Sequence, residues 1–207
     1  LPSFSLSKLI DTSKDIKGNI KYSLSGLNQK KDTNVSESYL INDLEYKSNL
    51  NIFKNGIASS FDLLFKNASK KGENSSNYSN DFESDNFVST IFTTSLPMKK
   101  SHNNFQSSLI PKASLRLSPF DSENISDLDR QLNITNLFSN NRLGLSDSLE
   151  GGQSITLGFD YNISDQEDNT FFSSSLGQVY KDTNDDKLPL SSTMKWMGNL
   201  KFLLYLI

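Results

Sequence analysis

The sequence predicts an all-β fold in which antiparallel up-and-down strands form part of a large outer-membrane β-barrel, with about nine strands of that barrel in this chain. Three observations lead to this prediction. Long segments alternate between apolar and polar side chains, their charged residues keep to one face, and short and long links between the segments take turns.

Nine segments are predicted to be strands because apolar residues recur at every second position. Most are longer than the mean of about five or six residues for strands of soluble proteins, and they reach the roughly 9–11 residues that a membrane-crossing strand needs. They cover approximately residues 2–10, 16–26, 39–48, 56–67, 82–96, 104–118, 152–164, 170–181 and 193–206.

The charged residues of the clearest segments lie in one register. In the segment 152–164, for example, Leu157 and Phe159 alternate with Thr156 and Asp160, and four other segments follow the same rule. A basic side chain that faces lipid costs roughly 2–4 kcal/mol at mid-membrane. The register therefore predicts one face toward lipid and the other toward a wet lumen.

The links between the segments sort by length. In an up-and-down barrel successive links emerge on opposite sides, and bacterial barrels keep short turns on the periplasmic side and long loops outside. A soluble β-sandwich has the same alternation but no reason to sort its loops in this way. The predicted short links are 11–15, 49–55, 97–103 and 165–169, and the long ones are 27–38, 68–81, 119–151 and 182–192.

The number of predicted strands indicates a piece of a larger structure. Nine is odd, whereas single-chain bacterial barrels have an even number of strands. The last segment also loses its alternation in residues 203–207. We therefore expect residues 1–207 to form a partial transmembrane β-barrel domain that lacks terminal strands.

Composition excludes several other classes. Hydrophobic residues make up 35% of the chain and the mean hydropathy is −0.49, which is too polar for spanning helices. A net charge of −3 with interspersed signs argues against nucleic-acid binding. The absence of cysteine excludes disulfides and thiol catalysis within this chain.

No residue pattern predicts an enzyme, a cofactor or a metal site. His102 is the only histidine, and one histidine completes neither a catalytic triad nor a zinc site. The segment 182–186 resembles the start of a calcium loop, but Lys187 stands where the loop needs glycine. We interpret both as solvated links.

The link 119–151 is unusual because it contains several large apolar residues among its polar ones. Leu137, Phe138 and Leu143 can pack together while Arg142 pairs with either Asp147 or Glu150. We expect a folded cap rather than a floppy tether. Two interpretations remain open, a self-packed loop that closes the barrel and a cap that shapes a substrate exit.

Several motifs in the second half of the chain resemble the LptD (OstA/Imp) family. They are the Asn-Leu-Phe-Ser-x-Asn-Arg segment, an Asp five residues after the Arg, a Glu-Gly-Gly turn and the strand segments 109–117 and 175–180. The motif residues of the loop are Asn136, Leu137, Phe138, Asn141, Arg142, Asp147, Glu150, Gly151 and Gly152.

This chain departs from the family pattern at two positions of that loop. Leu143 replaces the aromatic residue that often follows the Arg, and Ser148 stands where a second Arg is common. The resemblance therefore implies no ion pair from a second Arg in this loop.

The resemblance implies a fold, a location and a function. The family has a periplasmic β-jellyroll followed by a 26-stranded barrel in the bacterial outer membrane, and this chain would lack the jellyroll. It accepts lipopolysaccharide from a periplasmic Lpt bridge, through the N-terminal domain that would be missing here. It then releases lipopolysaccharide into the outer leaflet, with an LptE-like lipoprotein in the barrel lumen.

The same resemblance makes basic residues of the polar register candidates for contacts with anionic sugars or with the lipoprotein. The alternative is ordinary solvation and ion pairing with Asp43, Glu45, Asp62 and Asp160. The candidates are Lys17, Lys21, Lys112 and Arg116.

Two other functional classes stay open at this point. A different outer-membrane barrel, such as a porin or a receptor, would give the same strand pattern. A secreted β-rich adhesin or binding module would share the alternation without the membrane.

Overall fold

The computed structural model describes residues 2–10, 17–31, 34–121, 124, 132–181 and 203–206. Eleven strands lie in these ranges. They are β1 (Ser3–Ile10), β2 (Gly18–Lys30), β3 (Ser36–Ser48), β4 (Asn51–Ile52), β5 (Ala58–Glu73), β6 (Glu83–Ser95), β7 (Met98–Ser101), β8 (Gln106–Ser118), β9 (Gly152–Ser164), β10 (Thr170–Lys181) and β11 (Leu203–Leu206).

All eleven strands belong to one antiparallel sheet in which neighbours in space follow one another along the chain. The order is β1-β2-β3-β5-β6-β8-β9-β10-β11, with β4 paired to β5 and β7 paired to β8. Within the described ranges the sheet is open and ends on β1 and β11. The predicted all-β, up-and-down fold class is confirmed, and the open sheet is consistent with part of a barrel.

No helix in the described part of the chain is long and apolar enough to cross a membrane.

The predicted strand boundaries are right where apolar alternation continues to the end of a strand and wrong where it stops earlier. β9 and β10 have the predicted bounds. β3 begins at Ser36 and β5 continues to Glu73, so the predicted long links 27–38 and 68–81 shrink to residues 31–35 and 74–82. Polar residues pair there without apolar partners, as in Gln29 with Glu37. The predicted sorting of links by length is therefore wrong for 31–35, which has the same length as 165–169.

Three further predictions, for two links and the last strand, agree with the structure only in part. Short strands β4 and β7 occupy parts of the predicted links 49–55 and 97–103. The predicted strand 193–206 is represented by β11, and its other residues lie outside the described ones, as do 11–16.

The sheet has one face that exposes large apolar side chains. On β5, Phe61, Leu63 and Phe65 are each 38–40% exposed, and Leu64 between them is buried. Alternation along each strand places Leu44, Val88, Phe92, Leu115 and Leu157 on the same side, also exposed. We call this side the apolar face.

A row of asparagine amides crosses the apolar face. Asn42, Asn67 and Asn86 are direct register partners on β3, β5 and β6. Asn42 Nδ2 donates to Asn67 Oδ1 at 3.3 Å, and Asn67 Nδ2 donates to Asn86 Oδ1 at 3.0 Å. The Tyr22 hydroxyl donates to Asn42 Oδ1 at 2.8 Å. This asparagine ladder satisfies amide groups that lie beside exposed leucine and phenylalanine side chains.

The other face carries the polar register and the loop that precedes β9. Its side chains include Lys66, Ser89, Arg116 and Lys181, all of which are buried. The loop residues 132–151 cover them, so the buried core of this chain lies between the sheet and one of its own loops. We call this side the loop-bearing face.

Candidate functional site: a folded loop on the polar face of the sheet

The residues 132–151, hereafter the folded loop, begin with a turn that asparagine side chains close. Asn133 Oδ1 accepts hydrogen bonds from the backbone N–H groups of Thr135 at 2.9 Å and Asn136 at 3.2 Å. Asn136 Oδ1 accepts in return from the Asn133 N–H at 2.9 Å. The Leu137 N–H then bonds the Asn133 carbonyl at 3.1 Å, so one helix-like turn presents Leu137 and Phe138 to the sheet.

A second turn depends on Asn141. Its side-chain Nδ2 donates to the Leu145 carbonyl at 2.7 Å, and its Oδ1 accepts from the Leu145 N–H at 3.1 Å. The enclosed Gly144 has a φ of +63°, a conformation that favours glycine. Asn136 and Asn141, which carry the family resemblance, thus hold the backbone of the loop.

Two apolar clusters fix the folded loop to the sheet. Leu132, Leu137, Leu143 and Leu145 pack against Val179 of β10. At the other end of the loop, Leu149 packs with a second group formed by Ile41, Leu64, Ala68 and Phe87. Burying one leucine side chain contributes about 1.5–3 kcal/mol, so the loop is held mainly by these contacts.

A pair of glycines makes room for the first cluster. Gly158 and Gly177 are direct partners on β9 and β10. A Cβ atom at Gly177 would lie 2.6 Å from Leu137 Cδ1, and one at Gly158 would lie 3.1 Å from Phe138 Cζ. The Lys112 ammonium lies 5.7 Å from the centroid of the Phe138 ring. The glycine pair is therefore a socket in the sheet for the two loop side chains.

The charged centre of the site is a buried ion pair within the loop. Arg142 Nε donates to Glu150 Oε2 at 2.7 Å and Arg142 Nη2 donates to Glu150 Oε1 at 2.6 Å. Both residues are 2–3% exposed. Bidentate pairing of this kind fixes geometry as well as charge. Of the two predicted partners of Arg142, the structure selects Glu150.

Two cations of the sheet converge on the same carboxylate region. Lys181 Nζ of β10 lies 3.1 Å from Glu150 Oε1. Arg116 of β8 donates from Nη2 to the Glu150 carbonyl at 2.6 Å and from Nε to the Asn140 carbonyl at 2.8 Å. Both side chains are buried under the loop.

Residues of β5 and β6 hold the middle of the folded loop. Lys66 Nζ donates to the Ser146 carbonyl at 2.7 Å and also pairs with Asp43 of β3 at 2.7 Å. The Ser89 hydroxyl bonds Asn140 Oδ1, and Asn140 Nδ2 donates to the Ser89 carbonyl at 3.0 Å. The loop is thus bonded to strands from both sides of the site.

The outer end of the loop contacts the β5–β6 link. The Tyr78 hydroxyl donates to Asp147 Oδ2 at 3.2 Å, so Asp147 serves this contact rather than Arg142. In the same link, Ser75 and Asn77 donate to Glu37 Oε1 at 2.6 and 3.0 Å. The folded loop, the β5–β6 link and the beginning of β3 are joined in this way at one end of these strands.

Burial and charge shift the pKa values of two side chains in this region. Burial raises the pKa of the Glu150 carboxyl, but the charge and hydrogen bonds of Arg142, with the charges of Arg116 and Lys181, outweigh it and hold that pKa well below its usual value. Burial, followed by the Asp147 charge, raises the pKa of the Tyr78 hydroxyl well above its usual value. At neutral pH Glu150 is therefore charged and Tyr78 is protonated.

The structure separates the four basic candidates predicted from sequence. Arg116 is buried, and Lys112 forms an ion pair with Asp160. Lys21 is exposed on β2, opposite Glu45. Lys17 is exposed and lies just before β2, where its carbonyl accepts from the Tyr46 hydroxyl at 2.9 Å.

The loop ends in the two glycines of the predicted Glu-Gly-Gly turn. Gly151 is buried and Gly152 starts β9 with a φ of +79°, which favours glycine. The Gly152 N–H bonds the Phe120 carbonyl at 3.3 Å and closes the base of the loop.

Sequence reasoning missed the sheet residues that receive the loop. Lys66 and Ser89 lie 80 and 51 residues from their loop partners, and no local pattern marks such pairs. A signal existed only for Gly158 and Gly177, since glycine inside a strand often marks a close approach.

In the ranges that the structure describes, no group of three or more histidine, aspartate or glutamate side chains could hold a metal ion. The segment 182–186, interpreted from sequence as a solvated link, lies outside the described residues.

The chain matches the model of a known protein family. The model of a family described as LPS transport system D matches residues 61–204, which is well over half of the chain and contains the whole folded loop. No curated protein matches the chain.

Proposed function

Because the chain belongs to the LptD family of lipopolysaccharide-transport proteins, we propose that it forms part of the outer-membrane barrel wall through which lipopolysaccharide enters the outer leaflet. The two-faced sheet is the observation that carries this proposal. Large apolar side chains are exposed on one face, and charged side chains with a folded loop occupy the other. A wall between lipid and water needs both faces.

The apolar face fits lipid contact. Its exposed phenylalanine and leucine side chains would be unfavourable as a large patch in water, whereas they cost nothing against acyl chains. The loop-bearing face would then line the lumen, where sugars and phosphates need polar partners. A secreted adhesin would have to cover this surface with a further layer.

The folded loop would act as an inward closure of the lumen at this part of the wall. It covers cations of β5, β8 and β10, including Lys66 and Arg116. A wall that is covered in this way suits controlled passage of a large glycolipid better than an open pore of the porin type.

The partners follow from the resemblance to the family. We propose an LptE-like lipoprotein in the lumen and delivery of lipopolysaccharide by a periplasmic Lpt bridge. Lys17 and Lys21 are the exposed basic candidates for contact with either partner, because Lys112 and Arg116 are occupied in the resting arrangement.

Depletion of the full-length protein in its own cells tests the function. Newly made lipopolysaccharide should stop reaching the cell surface, measured by labelling with a reagent that does not cross the outer membrane. Unchanged surface labelling after complete depletion would refute the proposal.

Charge reversal tests the role of the two lysines. The Lys17→Glu/Lys21→Glu variant should slow surface delivery or weaken lipoprotein binding, while the matched Lys99→Glu variant, on an exposed residue of β7, should not. Equal export and lipoprotein binding in both would assign Lys17 and Lys21 to ordinary solvation.

A further inference from the structure

One register row of the loop-bearing face collects three hydrogen-bond donors. Arg116 of β8 pairs with Ser154 of β9, and Ser154 pairs with Lys181 of β10. All three side chains are buried under the folded loop. We call these residues the donor row.

The folded loop places a carboxylate on this row. Glu150 Oε1 lies 3.1 Å from Lys181 Nζ, and the Glu150 carbonyl accepts from Arg116 at 2.6 Å. The only other charged contact of this carboxylate in the described chain comes from Arg142, which belongs to the loop itself. The Glu150 carboxylate thus occupies an anion position that the sheet provides.

Cations outnumber anions among the side chains of this cluster that the structure describes. Arg116, Arg142 and Lys181 are cations, and Glu150 is the anion that lies between them. The Ser154 hydroxyl and Arg142 Nη1 are buried and have no hydrogen-bond partner in the part of the chain that the structure describes. Buried donors without partners are uncommon, so each of these two groups could bond a further acceptor.

If the loop moves away, its Arg142 and Glu150 leave together. The row then keeps two cations and a hydroxyl without the carboxylate. Without the loop these two cations are exposed next to each other on this face of the sheet, and neighbouring charges of one sign attract an anion. A ligand that carries phosphate or carboxylate groups would supply it.

We propose that the donor row is a binding site for the anionic groups of a saccharide and that Glu150 occupies it in place of the ligand while the folded loop is down. This rests on the proposed function, which supplies lipopolysaccharide as the ligand, and it names the part of that ligand and the wall residues that meet it. Phosphates and sugar-acid carboxylates are the two sources of such groups.

Binding of lipopolysaccharide to the purified full-length complex tests the proposal. The Glu150→Gln variant removes the internal competitor and should bind intact lipopolysaccharide a few hundredfold more tightly, because breaking a buried ion pair favours the open loop by about that factor. Glu167→Gln, which removes a charge from an exposed turn, is the matched control and should leave affinity unchanged.

Modified ligands identify the anion. If the donor row binds phosphate, lipopolysaccharide without phosphates should show no increase in affinity for the Glu150→Gln variant. A form whose carboxylates are also reduced should show no increase in either case. An equal gain with the uncharged form, or no gain in a folded Glu150→Gln protein, would overturn the proposal. Failure of the unaltered complex to bind any lipopolysaccharide would instead count against the proposed function.

A second measurement leaves all charges in place. In a Ser154→Cys variant, an anionic thiol reagent should react slowly with the introduced thiol. Intact lipopolysaccharide should protect this thiol, and the uncharged form should not. Absence of modification, or equal protection by both forms, would contradict the proposal even if Glu150→Gln does not fold.

Discussion

The ion pair of the folded loop should be asymmetric, with Glu150 contributing more to loop docking than Arg142. Glu150→Gln removes the carboxylate that Arg142 and Lys181 both contact. Removing one partner of a buried ion pair costs about 3–5 kcal/mol. We expect this full range for Glu150→Gln.

The change Arg142→Met leaves a smaller imbalance. Glu150 keeps Lys181 at 3.1 Å and the charge of Arg116 nearby. The loss is then that of hydrogen bonds to a charged group, about 1.5–3 kcal/mol.

A buried serine of the loop provides the assay. Ser148 is 1% exposed, so the thiol of a Ser148→Cys variant of the full-length protein should react only when the loop opens. Its rate of modification then follows the opening equilibrium. Glu150→Gln should accelerate it by a few hundredfold or more and Arg142→Met by roughly tenfold to a hundredfold. An equal or larger effect of Arg142→Met would refute the charge argument, and Glu167→Gln should have no effect.

Three further outcomes are expected. Gly177→Ala should release the loop at a cost of about 1–3 kcal/mol because its Cβ meets a leucine tip. Gly158→Ala, whose Cβ meets backbone, should in addition lower the thermal stability of the barrel. Equal effects of the two variants on loop release and on thermal stability would contradict the socket. Phe92→Lys on the apolar face should reduce barrel assembly, by up to about 2–4 kcal/mol at mid-membrane, while Thr93→Lys beside it should not, as band shifts on unheated gels would show. Loop protection should fall as pH rises above about 10, the usual pKa of tyrosine, since a hydroxyl with a raised pKa stabilises the docked loop only while protonated; a Tyr78→Phe variant with the same pH dependence would exclude this cause.

The sheet could be predicted from sequence because charge confines each strand to one register. Lipid contact is costly for every charged residue, so Thr156 and Asp160 alternate with Leu157 and Phe159 as the structure has them. Strand ends were predicted less well. Backbone pairing continues where Gln29 meets Glu37, although no apolar alternation marks that stretch.

The site could be predicted only as far as local sequence reaches. Arg142 had two acidic residues within reach, and the choice of Glu150 depends on burial under the loop and on Lys181, which is 31 residues away. Asp147 instead meets Tyr78, a residue 69 positions earlier. Such contacts depend on which strands become neighbours, and alternation alone does not give that.

The position of the asparagine ladder along β5 can be compared with the thickness of a membrane. Asn67 lies nine residues beyond Ala58, the first residue of β5, or about 30 Å along the strand at roughly 3.3 Å per residue. At the usual tilt of about 35–45° this is a height of about 21–24 Å, close to the apolar band of roughly 25 Å in outer-membrane barrels. The amides would then lie at the outer boundary of the apolar band of the membrane.

Beyond the ladder β5 continues for six residues, and Ser69, Lys71 and Glu73 replace the phenylalanines of the apolar face. This part of the wall would stand about 15 Å above the leaflet as a rim that is wet on both sides. Tyr78 and the links around it would then hold the folded loop among the sugars of the cell surface, beyond the apolar band of the membrane.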